Sequence, residues 1–172
     1  MDLSHVLWIG GGQRSGKSSI ARALSRRFDL QLYAIDDHDR AHEPRMPAPG
    51  PGSPATPAEL LERFVMTSRH RFRLVLEDLA ALPASPLAIV EGMQLLPTSV
   101  AAVLREADHA LFLVPGAGEQ LTQRIAREAA DLRLATLTVD APLEEMIERA
   151  AAHFLPVISA AGDRSPLRRP TP

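Results

Sequence analysis

At 172 residues the chain is sized for one domain, and its 45% apolar residues suffice for a sizeable core. A formal net charge of −2 and the absence of cysteine argue against bulk attraction to nucleic acid or membrane and exclude disulfides, thiolate metal sites and cysteine nucleophiles. No apolar run is long enough to span a bilayer, and no basic region precedes an apolar core at the N-terminus, so a soluble cytoplasmic protein is expected, monomer or homodimer.

Val6-Leu7-Trp8-Ile9 reads as a short buried strand. Gly11-Gly12-Gln13-Arg14-Ser15-Gly16-Lys17-Ser18 follows, and Ile20, Ala21, Leu24 and Phe28 then recur at helical spacing. The eight residues match G-x-x-x-x-G-K-[ST], and they lie between a strand and a helix, where a phosphate-binding loop has to be. Glycines let backbone N–H groups approach a triphosphate closely. The helix beginning near Lys17 adds free N–H groups and a positive dipole end. Lys17 is expected at the β- and γ-phosphates of ATP, and Ser18 at Mg²⁺, with Ser19 completing the ATP-binding set. Lys17 is the one lysine among 19 lysines and arginines. A compact ammonium suits a phosphate cradle better than a planar guanidinium.

Leu30 to Ile35 reads as a second strand ending in Asp36-Asp37. Carboxylates at the carboxyl end of a parallel strand face the ligand crevice. Asp36, with Asp37 as second choice, is expected to orient or deprotonate an acceptor hydroxyl; the alternative is a helix or turn cap. His38 and His42 read as a solvated or substrate-facing turn rather than a metal site. The proline-crowded stretch 42–57 reads as a flap over the acceptor or a surface loop.

Thr56-Pro57-Ala58-Glu59 is a capping-box helix start. Thr67-Ser68 interrupts the pattern, and a second helical stretch runs through Phe72, Val75, Leu76 and Leu79. Arg69, Arg71 and Arg73 read as a solvated face, with an anionic acceptor as the alternative. Pro86 to Val90 is a third strand. It closes on Glu91-Gly92, an apolar run ending in an acid that fits a carboxylate supporting Mg²⁺ or contacting the acceptor; the alternative is an ordinary strand-end glutamate.

Pro97 to Glu106 reads as a helix, His109 to Val114 as a fourth strand and Ala117 to Asp131 as a helix. Arg124 and Arg127 share a face of the latter and suit neutralisation of a transferring phosphoryl group; the bland alternative pairs Arg124 with Glu128. Leu134 to Val139 is a fifth strand. A last helix follows Pro142, with Leu143, Met146, Ile147, Ala150 and Phe154 as its buried stripe. One domain over 1–158 and a flexible tail over 159–172 are expected.

With these motifs in place, the chain resembles the small P-loop kinases, the group of chloramphenicol phosphotransferase, gluconate, shikimate and adenylylsulfate kinases and the uridine kinase-like enzymes. Leu32-Tyr33-Ala34-Ile35-Asp36-Asp37 looks like the strand ending that carries their acceptor-site aspartate. Ile89-Val90-Glu91-Gly92 looks like the E-G step of the uridine kinase-like branch. Thr138 to Glu145 looks like the turn that borders adenine. The resemblance implies an α/β three-layer fold with a parallel five-stranded sheet of order 2-3-1-4-5. It implies a kinase using ATP and Mg²⁺ on a hydroxyl of a small molecule, a sugar, nucleoside or antibiotic ranking above a nucleoside monophosphate. No [NT]-K-x-D guanine signature is present. A nucleotide-binding protein without transfer activity and a plain ATPase are the alternatives.

Overall fold

The computed structural model describes residues 2–48, 56–116 and 120–163. Its centre is a five-stranded parallel sheet in the order β2-β3-β1-β4-β5, as the resemblance implied. The strands are β1 (Val6–Gly11), β2 (Gln31–Ala34), β3 (Ala88–Glu91), β4 (Ala110–Pro115) and β5 (Ala135–Val139). The principal helices are α1 (Lys17–Phe28), α3 (Pro57–Ala81), α5 (Gln120–Asp131) and α6 (Leu143–Asp163). Two short ones, α2 (Asp39–His42) and α4 (Pro97–Ala101), accompany them.

β1 shows why the apolar run is continuous rather than alternating. Its side chains point to opposite faces in turn, and helices cover both faces. Val6 and Trp8 join a core with Phe72, Val75 and Leu79 of α3 and Ile125 of α5. Leu7 and Ile9 join a second core with Ile20 and Leu24 of α1 and Met146 and Phe154 of α6. Both layers are dry at β1, where Val6, Leu7 and Ile9 are fully buried.

The parallel register then lines up the functional ends. Ile9 of β1 pairs with Glu91 of β3, and Glu91 pairs with Ala34 of β2. Ile9, Glu91 and Ala34 thus lie level, with Gly10-Gly11 continuing β1 past them and Asp36 two residues beyond Ala34. Residues far apart in the chain meet because each βα connection returns the next strand in the same direction.

Several sequence expectations need correction. α3 is one uninterrupted helix of 25 residues. Ser68 is buried inside it, so Thr67-Ser68 is no break; packing of Val65, Phe72 and Val75 overrides the weak propensity of the pair. The capping box at Thr56 and Glu59 is formed in both directions. The helix expected over 97–106 shrinks to Pro97–Ala101. α6 runs to Asp163, beyond the tail boundary at 158, and residues 164–172 lie outside the described residues. Leu143 is 42% exposed rather than part of the buried stripe. Of the proline-crowded stretch, His42 ends α2 and Glu43–Arg45 forms a 3₁₀ turn. Residues 49–55 lie outside the described residues, so the flap expected there does too.

Candidate functional site

The loop from Gly11 to Ser18 turns tightly between β1 and α1. Arg14 (φ 56°) and Gly16 (φ 87°) both adopt the left-handed conformation, and Gly11 has φ 141°. Successive residues of this kind turn backbone N–H groups into one concavity, a nest suited to an anion. The glycines also admit close neighbours. A Cβ on Gly11 would lie 2.4 Å from the Leu113 carbonyl oxygen, and one on Gly12 2.4 Å from Thr122 Oγ1. The loop is therefore seated on β4 and α5. Gln13, Arg14 and Ser19 are exposed, Ser15 is buried, and Ser18 is half-buried.

Lys17 is buried at the centre, 8% exposed. Its Nζ donates to the Gly12 carbonyl at 2.6 Å and to Ser15 Oγ at 3.3 Å. Burial pulls its pKa down, and the charges of Glu91 and Asp36 push it back up in part. Glu91 is 5% exposed. Burial raises its pKa, opposed by a hydrogen bond from Ser18 and the charges of Lys17 and Arg22. The strand ends have thus gathered one ammonium, one buried carboxylate and one hydroxyl, with Asp36 within electrostatic reach of both Lys17 and Glu91.

Asp36 and Asp37 are exposed in a 3₁₀ turn, Ile35–His38, directly after β2. Gln94, in the loop after β3, donates from Nε2 to Asp36 Oδ1 at 3.1 Å. Behind this turn lies a polar cluster that motif reading missed. Asp78 of α3 accepts from Tyr33 Oη at 2.5 Å and meets His42 Nε2 at 2.9 Å. His38 stacks on Tyr33, the ring centroids 4.0 Å apart. His42 is 1% exposed and so is not solvated, while Asp36 and Asp37 of the same segment are exposed. Arg71 pairs with Asp39, which fastens the same turn to the same helix.

Arg124 and Arg127 lie on α5 along a cavity of about 400 Å³ lined also by Leu61, Gln120, Gln123 and Glu128. Arg124 takes the bland alternative and adds to it. Its Nε donates to Glu128 at 2.8 Å, and its Nη1 to Glu62 of α3 at 2.7 Å. Hydrogen bonding to Glu128, then to Glu62, raises its pKa further. Arg127 is exposed.

What the cluster fits follows from its donors. A nest of N–H groups around an ammonium suits a polyphosphate. The Ser18 hydroxyl and the Glu91 carboxylate are hard oxygen donors of the kind Mg²⁺ takes. Among the described residues no group of three or more His, Asp or Glu side chains is gathered to hold a metal. A divalent ion here would rely on phosphate and water for most of its ligands, as Mg²⁺ commonly does.

The fold is that of the small P-loop kinases. A gluconokinase from Sinorhizobium meliloti 1021 is 15% identical, with 96% of this chain and 99% of that one covered and a TM-score of 0.52. Shikimate kinase from Aquifex aeolicus vf5 is also 15% identical, with 93% and 99% covered and a TM-score of 0.55. No protein-family model matches the chain, and no curated protein does. No helix among the described residues is long and apolar enough to cross a membrane.

Proposed function

We propose that the chain is an ATP- and Mg²⁺-dependent phosphotransferase that moves the γ-phosphoryl group to a hydroxyl of a small molecule. The observation that carries this reading is the juxtaposition around Lys17: a buried ammonium in a backbone nest, with Glu91 and Asp36 as its negative neighbours. The nest and Lys17 hold the β- and γ-phosphates. Ser18, with Glu91 behind it, would hold the Mg²⁺ that comes with the nucleotide. That ion supplies neutralisation of charge on the phosphates.

Asp36 orients the acceptor alcohol and takes its proton. The alcohol oxygen forms a bond to the γ-phosphorus. The bond from that phosphorus to the bridging oxygen breaks, and ADP leaves with the electron pair. Positioning and electrostatics supply most of the rate in such chemistry. Leu143, the first residue of α6, is exposed with its Cδ1 3.9 Å from where a Gly16 Cβ would lie, an apolar surface beside the loop on which a base could rest. Arg71 and Arg124 are each engaged by carboxylates.

The test is Asp36→Asn against a panel of sugars, nucleosides and hydroxylated antibiotics. Transfer from Mg·ATP is expected to fall by roughly 100-fold or more with Mg·ATP affinity unchanged. Wild-type transfer in that variant removes Asp36 from the proton-acceptor role. The second reading, a nucleotide-binding protein without transfer, draws on Arg124 being held by Glu62 and Glu128. Saturable Mg·ATP binding with no transfer to any member of the panel would favour it.

A further inference from the structure

Gln94 belongs to none of the motifs, yet it reaches Asp36 across 58 positions of sequence. Its Nε2 lies 3.1 Å from Asp36 Oδ1, and its Oε1 is buried without a partner. The reverse amide orientation would set oxygen against carboxylate oxygen, so charge fixes the donor. The loop that carries it is fitted closely to the strand ends. A Cβ on Gly92 would lie 2.8 Å from Gln94 Oε1 and 2.8 Å from Ile35 Cδ1. A Cβ on Gly10 would lie 2.7 Å from the Leu95 carbonyl oxygen. Leu95 and Leu96, the next two residues, are buried in full or nearly so. Gln94 is therefore seated on Gly92, anchored by two core leucines, and aimed at the residue that follows Ile35.

An unpaired buried acceptor costs stability, and such costs concentrate where a site needs a fixed geometry. We propose that Gln94 is a positioning residue, which holds Oδ1 of Asp36 so that Oδ2 alone is presented to the acceptor hydroxyl. The inference rests on the role given to Asp36 above. Gln94 acts on the alcohol through Asp36, and Gly92 is the space in which its amide lies.

The test uses the full chain with Gln94→Met, which keeps the length and removes the donor. Gln94→Glu, which puts an acceptor in the same place, is the second variant in case the first does not fold. The first readout is the ¹³C resonance of the Asp36 carboxyl group, assigned by its loss in Asp36→Asn. The second is Mg·ATP hydrolysis, with water in the place of the alcohol. The carboxyl resonance is expected to move or broaden in both Gln94 variants. The hydrolytic kcat should fall about 10-fold with KM for Mg·ATP within about twofold, and Gln94→Met should add no loss to Asp36→Asn. An unmoved resonance overturns the positioning role whatever hydrolysis does, and so does an equal loss in the Asp36→Asn background. A moved resonance beside wild-type hydrolysis in Asp36→Asn upholds the positioning role and removes only the proton-acceptor role.

Discussion

The two sides of the candidate site are built differently. The nucleotide side is local: eight consecutive residues, Gly11 to Ser18, supply the nest, the ammonium and the hydroxyl, and α1 continues from them. The other side is assembled. It draws Asp36 from the turn after β2, Gln94 from the loop after β3, Asp78 and Glu62 from α3, and Arg124 from α5. A local site keeps its geometry when the surrounding surface drifts. An assembled one depends on the register of the strands and on each helix staying docked. In the proposed reading, ATP chemistry falls to the local part and acceptor choice to the assembled part.

The largest effect expected from breaking this contrast is on the local side. Lys17→Met should weaken Mg·ATP binding by about 100-fold in calorimetry, roughly 2.7 kcal/mol. The same variant removes a buried charge whose pKa is already depressed by burial. The melting temperature of the nucleotide-free protein should therefore hold or rise. A large drop in melting temperature would show that Lys17 is structural first.

The next effect probes how the assembled side is fastened. Burial works to raise the pKa of Asp78, but hydrogen bonds from Tyr33 and His42 and the nearby imidazoles bring it below the ordinary value. A carboxylate held below its unfolded pKa stabilises the fold above that unfolded value, near pH 4. The contribution is lost as pH falls through the lower folded value. Solvent reaches the Asp78 side chain, which is 30% exposed, so the contribution is on the order of 1 kcal/mol. Between about pH 6 and pH 3 the wild type should lose more melting temperature than Asp78→Asn. Equal slopes would detach Asp78 from acid stability.

The smallest effect concerns the tie between α3 and α5. Glu62→Gln removes one partner of Arg124 at a largely exposed pair and should cost under about 1 kcal/mol in denaturant unfolding. If Arg124 is needed at the phosphates, the same change should leave transfer intact or raise it. A fall in transfer at unchanged stability would assign Glu62 itself to the site.

Legibility followed the same division. The loop could be read because its chemistry is carried by spacing, GxxxxGKS, and by strand and helix patterns on either side. The sheet order came from the resemblance. Strand ends were placed to within two residues, since apolar runs and Gly or Pro punctuation mark them. Gln94 left no local mark: a glutamine three residues past a strand has no pattern until the fold brings Asp36 to it. Leu143 was assigned inward because helical periodicity ignores what lies over the first turn. His42 was assigned to a solvated or substrate-facing turn because polarity alone does not reveal a carboxylate partner on another helix.

By itself the sequence determined the strand–glycine loop–helix order at Gly11 to Ser18, the two-sided burial of β1 and the carboxylates at or just after the ends of β3 and β2, because each is written in neighbouring residues. Tertiary structure alone decided which carboxylates approach Lys17, what holds Asp36, and how Arg124 is engaged. Those are contacts between residues tens of positions apart, and only strand register and helix docking bring them within hydrogen-bond range.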